Sequence, residues 1–205
     1  MILLIVDVDK LIDTWNKNEE FKRISRHVHN VSLLDIDKKY PLYCACKNVL
    51  ELDGDVIEVG VYKGGSAYVI SSVLGKTYCY DTFEGLPIRD KVGGSGIPAG
   101  HFKSNVEDVR DFLSGVDVEL VKGVFPDSSL EHDKIKFLHL DVDIYKYTLQ
   151  SLEHLYDKMV SGGIIIVDDY CWKDTPGVTV AIEEFFADKS EYPILMFGGQ
   201  ALVTI

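Results

Sequence analysis

The chain has 205 residues, 46% of them hydrophobic and 26% charged, with a formal net charge of −12. This is the composition of one soluble globular domain with a sizeable core. The acidic balance, with no basic block, argues against nucleic acid, whose binding rests on phosphate neutralisation, and against anionic membrane surfaces; it suits a cationic cofactor or a metal ion. The four cysteines, Cys44, Cys46, Cys79 and Cys171, have neither zinc spacing nor the density of a disulfide framework. Reduced thiols in a cytoplasmic protein are expected. Met1 to Val6 is apolar but too short to span a bilayer, and it lacks the basic segment and cleavage site of a signal peptide.

Residues 1–9 read as a short strand or the first turn of a helix. Residues 13–29 are expected to be helical, with Leu11, Ile12, Trp15, Phe21 and Ile24 as the apolar set. Tyr40-Pro41 is expected to break the chain, and a second helix over 42–50 to end at the Asp53-Gly54 turn. These helices would cover a sheet edge or a cofactor site. Residues 1–53 would then be a helical cover on a core of residues 54–205, all within one domain. The core opens with a strand at 55–60, a glycine turn, a helix at 65–74 and a strand at 77–81. A loop over 86–103 carries Pro87, Gly93, Gly94, Gly96, Pro98 and Gly100. A loop of that length is usually functional, and a mobile lid is expected. A helix over 104–113 follows, with Ser104 as N-cap and Glu107 three residues on.

Strands are expected at 116–121 and 136–140, the second ending in Asp141-Val-Asp143. An amphipathic helix at 148–160, on Leu149, Leu152, Leu155 and Met159, would stop at Gly162-Gly163. An apolar strand at 163–167 ends in Asp168-Asp169, and a helix at 177–187 precedes a closing hairpin of 193–197 and 200–205. Five strand–helix alternations require a mostly parallel sheet with helices on both faces. The expected fold is α/β and Rossmann-like, of strand order 3-2-1-4-5, with a C-terminal antiparallel hairpin. Glu58, Asp81, Asp141, Asp168 and Asp169 would all fall at strand carboxyl ends, where ligands of such sheets bind.

Glu58-Val-Gly60-Val-Tyr-Lys-Gly64-Gly65 is neither the dinucleotide fingerprint nor a P-loop. A cofactor without phosphates needs neither. S-adenosylmethionine is such a cofactor: it offers a carboxylate to helix N–H groups, an ammonium to an acid, and a ribose diol to Asp81, which stands 23 positions beyond Glu58. The alternative is a glycine-bearing turn with no ligand. A second constellation is Asp141 with Asp168 and Asp169, from strands that the expected order makes neighbours. Three carboxylates within reach of one ion suit Mg²⁺ or Mn²⁺; the bland alternative is that they end strands and cap helices, with Asp143 and Asp169 facing solvent. His139 alternates with Asp141 on its strand and is a catalytic candidate, although a core histidine is the commoner outcome. His101, Tyr145, Lys146, Tyr170 and Trp172 could border an acceptor or merely pack.

Four segments, Glu58–Ser66, Asp81–Pro87, Leu140–Tyr145 and Gly162–Tyr170, resemble in sequence, order and spacing the motifs of the macrocin O-methyltransferase family. The resemblance spans about residues 40–190. It implies a class I methyltransferase fold and methylation of a hydroxyl on a small molecule such as a sugar, with S-adenosylmethionine and a divalent metal. It also implies that Glu58, Gly60, Tyr62, Gly64, Gly65, Ser66, Asp81, Thr82 and Phe83 hold the cofactor, with Gly123 and Phe125 on the adenine side and Asp141 nearby. Asp141, Asp168 and Asp169 would be the metal ligands by this resemblance; in the reaction so read, a nearby carboxylate such as Asp141 would take the hydroxyl proton. The short N-terminal part and the 88–100 loop depart from the family pattern where the family sets acceptor and oligomer, so acceptor identity and homo-oligomerisation stay open. Two rival readings remain. Leu3-Leu-Ile-Val-Asp7-Val-Asp9 with Asp168-Asp169 imitates a haloacid-dehalogenase phosphohydrolase, though Leu11 does not suit that motif. The other is a non-catalytic S-adenosylmethionine-binding protein.

Overall fold

The computed structural model describes residues 15–92 and 97–205. The element expected at 1–9, the Asp7-Val-Asp9 motif and Gly93, Gly94 and Gly96 lie outside the described residues. Helix α1 is Glu19–His27; Asn18 caps it by accepting from the Phe21 N–H at 2.9 Å, with Glu19 and Glu20 in the first turn and Arg26 and His27 in the last. Helix α2 is Ile36–Asn48 and contains Pro41, so the expected break does not occur. Pro41 lies in the second turn, where it deletes one helical hydrogen bond at a cost of about 3 kcal/mol. Burial of Leu42, Tyr43, Ala45 and Cys46 from the same helix offsets it, at roughly 1.5–3 kcal/mol for each large side chain.

Among the described residues the sheet has seven strands: β1 (Asp55–Val59), β2 (Thr77–Asp81), β3 (Val118–Lys122), β4 (Ile135–Leu140), β5 (Met159–Asp168), β6 (Ile194–Met196) and β7 (Gln200–Thr204). Their order is β3-β2-β1-β4-β5-β7-β6, parallel from β3 to β5, with β7 antiparallel to β5 and β6 to β7. This is the expected order with the hairpin appended. Alternate residues feed two cores, as the two-residue period of a strand requires. Ile57, Val59, Leu138, Leu140, Ile165 and Val167 face α5 (Tyr145–Leu155) and α6 (Pro176–Phe186). Val56, Phe137, Ile164 and Ile166 face α1, α2 and α3 (Gly65–Leu74). The N-terminal helices therefore cover a face of the sheet and not an edge. Among the described residues no helix is long and apolar enough to cross a membrane.

Two boundaries differ from expectation for identifiable reasons. Helix α4 is Val106–Phe112, and its cap is Asn105, which accepts from the Glu107 N–H at 2.9 Å. Ser104 instead donates its hydroxyl to the Tyr62 carbonyl at 2.6 Å, tying the loop after β2 to the turn after β1. Helix α5 ends at Leu155, and Met159 opens β5 after a 3₁₀ turn at Tyr156–Lys158. Gly162-Gly163 is an irregularity within β5, where the register against β4 jumps between Ile135 and Phe137, and not a helix stop. Strand β1 lies between β2 and β4. The chain leaves it to one side and returns on the other, which opens a cleft beyond the carboxyl ends of β1 and β4.

Candidate active site

A cavity of about 380 Å³ occupies that cleft. Its floor is the glycine turn. Gly60 has φ +92°, and a Cβ there would lie 1.8 Å from the Asp141 carbonyl oxygen. The chain after β1 and the chain after β4 thus touch backbone to backbone, which only glycine permits. Gly64 has φ +88° at the N-cap of α3, and no side chain caps that helix. Its first N–H groups are left to an anion. Ser32 packs against Gly65, where an added Cβ would meet it at 2.5 Å. In this way the segment before α2 becomes one wall of the cavity.

Asp81 organises the turn. Its Oδ2 accepts from the Val61 and Tyr62 N–H groups at 2.7 and 2.8 Å, and its Oδ1 from the Phe83 N–H at 2.7 Å. A carboxylate has about four acceptor positions, so one remains for a ligand hydroxyl. Tyr62, Phe83, Asp143 and Asp169 all have positive φ, between 50° and 66°. Each sits in the loop after a different strand, β1, β2, β4 and β5. Strain of this kind gathers at functional sites.

The cavity is lined by Gly60, Tyr62, Gly65, Ser66, Asp81, Thr82, Gly123 and Phe125, and by Asp141, Asp168 and Asp169. All are residues singled out from the sequence. Four others do not line it. Gly64 and Phe83 shape the turns behind it. Glu58 and His139 are fully buried beneath it. Strand register sets Glu58 opposite His139, and Glu58 Oε1 lies 2.9 Å from His139 Nδ1 while His139 Nε2 lies 3.3 Å from Asp168 Oδ1. Burial works against a charged imidazole, but Asp168 and Glu58 push His139 up to about 10. With both ring nitrogens engaged and no face on the cavity, His139 sits as the core histidine that the sequence reading gives as the commoner outcome. Glu58 likewise holds His139 and presents no atom to a ligand.

The carboxylate cluster also differs in membership. Asp141, Asp143 and Asp169 place one oxygen each within 4.8 Å of one another. Asp143 thus joins the expected carboxylates, with Asp168 lining the same cavity beside the trio; its two-residue spacing from Asp141 was the available signal. Asp168 Oδ1 accepts from Gln200 Nε2 at 2.5 Å as well as meeting His139, and its Oδ2 is buried without a hydrogen-bond partner. Burial and then the neighbouring carboxylates push Asp141 well up and Asp143 up to about 8. Asp168, although buried, is held low by His139 first and then by Lys38 and Gln200. Such crowding is what a cation relieves. The donor set, all hard oxygen, with one orphaned buried oxygen beside it, fits a divalent ion of the Mg²⁺ type.

Sequence reasoning missed the wall formed by residues 31–38, including Lys38, and also Tyr147. Trp172 lines the cavity, whereas Tyr170 is buried and donates its hydroxyl to Glu183, Tyr145 bonds Glu184 at 2.7 Å, and exposed His101 stacks edge-on to Phe102. In the loop expected to be a mobile lid, several described residues are held by hydrogen bonds. Leu86 exchanges two backbone hydrogen bonds with His101 and Gly100, at 2.8 and 2.9 Å. Buried Asp90 accepts from the Tyr145 N–H at 2.8 Å, capping α5 from outside.

A parallel sheet of this order, with a glycine turn, an acid on β2 and a cleft at the switch point, is the fold of class I methyltransferases. The family model for Macrocin-O-methyltransferase (TylF) matches residues 43–195, and the chain belongs to that family. It is 30% identical over 155 residues to demethyldecarbamoylnovobiocin O-methyltransferase of Streptomyces niveus, covering 65% of this chain and 58% of the relative. It is 28% identical over 140 residues to the 8-demethyl-8-(2,3-dimethoxy-alpha-L-rhamnosyl)-tetracenomycin-C 4'-O-methyltransferase of Streptomyces olivaceus, covering 57% and 53%. The chain thus spans less than two thirds of the length of either relative. The solved structure of the O-methyltransferase NovP superposes with a TM-score of 0.74 at 24% identity, covering 84% of this chain and 81% of that one. The haloacid-dehalogenase reading rests on Asp7 and Asp9, which lie outside the described residues; the family match supports the methyltransferase reading in its place.

Proposed function

We propose that the protein transfers a methyl group from S-adenosylmethionine to a hydroxyl of a small molecule, a sugar or glycoside, with the help of a divalent metal ion. The observation that carries this is one cleft lined by both the Gly60–Ser66 turn with Asp81 and the carboxylates Asp141, Asp143 and Asp169. Family membership and the sugar hydroxyl named for the tetracenomycin relative support the same reading.

The residues fit the cofactor as follows. The uncapped N-terminus of α3 receives the amino-acid carboxylate. Asp81 offers its remaining acceptor position to the ribose. Gly123 and Phe125 lie on the adenine side. Asp141, Asp143 and Asp169 would hold the metal, with Asp168 behind them. When bound, the cofactor supplies an electrophilic methyl on a sulfonium, and the metal supplies positive charge that lowers the pKa of a nearby hydroxyl. Asp141 and Asp143, at the end of β4 and lining the cavity, are the carboxylates placed to take the hydroxyl proton. Trp172 and Tyr147 wall the space left for the acceptor. Positioning the hydroxyl in line with the methyl supplies much of the rate.

Calorimetry with S-adenosylmethionine and its demethylated product tests the cofactor half. A screen of sugars, glycosides and catechols with labelled cofactor tests the reaction. Asp141→Asn is expected to reduce methyl transfer by at least about 100-fold while leaving cofactor affinity within a few-fold. Chelation should stop turnover and Mg²⁺ or Mn²⁺ restore it. Absence of binding at millimolar cofactor would remove the whole reading; turnover that survives exhaustive chelation would remove the metal.

A further inference from the structure

Lys38 reaches into the carboxylate cluster from α2, and its surroundings hold it there. Its Nζ lies 2.8 Å from Asp169 Oδ1 and 3.6 Å from Asp168 Oδ2, the buried oxygen that lacks a hydrogen-bond partner. Its aliphatic stem passes Gly198 in the β6–β7 turn, where an added Cβ would come within 3.0 Å of Lys38 Cγ. Its ammonium stands 5.9 Å from the centre of the Trp172 ring. The side chain retains 16% exposure and helps to line the cavity. A cation is thus already stationed on one of the three carboxylates that would hold a metal.

We propose that Lys38 is a tethered counter-cation of the carboxylate site, which holds Asp168 and Asp169 in the metal-free protein and competes with the divalent ion for Asp169. This rests on the metal reading above and adds to it a cost built into the chain: the ion must share Asp169 with an ammonium or displace it. The competition follows from elementary electrostatics. An ammonium and a divalent ion sharing one carboxylate repel within a few ångströms, in a site too enclosed for water to screen them fully. Metal entry should therefore drive the ammonium off Asp169 and into the cavity, on the side walled by Trp172. Because Lys38 belongs to α2 and follows the wall segment 31–37, metal binding and the shape of the acceptor side become linked through one side chain.

The test needs no acceptor. Mg²⁺ and Mn²⁺ affinities are measured by calorimetry for the wild type, Lys38→Met and Lys38→Arg. In parallel, acylation of Lys38 in the wild type by an amine-reactive ester is followed by mass spectrometry with and without saturating Mg²⁺. Lys38→Met is expected to bind metal about tenfold more tightly than wild type, and Lys38→Arg, which keeps the charge, close to wild type. Lys38 acylation in the wild type should rise several-fold at metal saturation. Equal affinities in wild type and Lys38→Met, or an acylation rate unmoved by saturating metal, would overturn the competition and leave the metal site standing. If none of the three proteins binds either ion, the metal reading itself fails and this inference falls with it. Should Lys38→Met not fold, the wild-type acylation arm decides alone.

Discussion

Replacing His139 by leucine should cost the metal-free protein far more than a cavity or a single hydrogen bond would. His139 is fully buried and stands between two fully buried carboxylates, 2.9 Å from Glu58 and 3.3 Å from Asp168. Leucine is similar in bulk, so the packing change is small. What is lost is the cation that both acids face. Removing one partner of a buried ion pair costs about 3–5 kcal/mol, because the other charge stays behind. Here one acid, Glu58, is left with only the weak contact to Cys79 at 3.9 Å, while Asp168 retains Gln200 and Lys38. For a chain of this size each kcal/mol lowers the melting temperature by roughly 2–4 °C, so a drop of about 6–20 °C is expected. The pH dependence is signed. A histidine whose pKa rises from 6.5 to about 10 on folding gives stability that is complete below 6.5 and lost as pH rises through 10. The gap between wild type and His139→Leu should therefore be widest near pH 6 and close toward pH 10. Urea denaturation of both proteins in chelator at several pH values measures it. A variant within 1 kcal/mol of wild type at pH 6, or a gap that stays constant to pH 10, would refute the buried-cation account; His139 would then be neutral, and its contacts ordinary hydrogen bonds.

Two further outcomes follow from the same geometry. Gly60→Ala should destabilise by roughly 2–4 kcal/mol and abolish cofactor binding, because the new methyl meets the Asp141 carbonyl at 1.8 Å with φ at +92°; urea denaturation and calorimetry report the two losses. Asp90→Ala removes the external cap of α5 and should cost about 1 kcal/mol. It should also speed hydrogen exchange over the described parts of 86–103, and exchange unchanged from wild type would mean that the Leu86 pairing alone fastens the loop.

The backbone framework and the floor of the cleft were legible in the sequence because both are local. A two-residue period marks the strands, and glycines at 60, 64 and 65 mark a turn that nothing else can make. Acids sit at strand ends where buried apolar residues stop. Those signals need no knowledge of distant chain. Pro41 misled because its local cost is real, and only the burial of Leu42, Tyr43, Ala45 and Cys46 against the sheet outweighs it. The roles of the charged residues were settled at long range. Glu58 meets His139 across 81 residues because β1 and β4 pair in one register, which buries an acid expected to touch cofactor beneath the cavity. Lys38 meets Asp169 across 131 residues because α2 lies on the same face as the ends of β4 and β5. A one-residue slip of β4 against β1 would send His139 to the opposite face. Which acids line the cleft, which support it and which cation neutralises them are properties of strand register and helix placement. Those are fixed only when the whole sheet has formed.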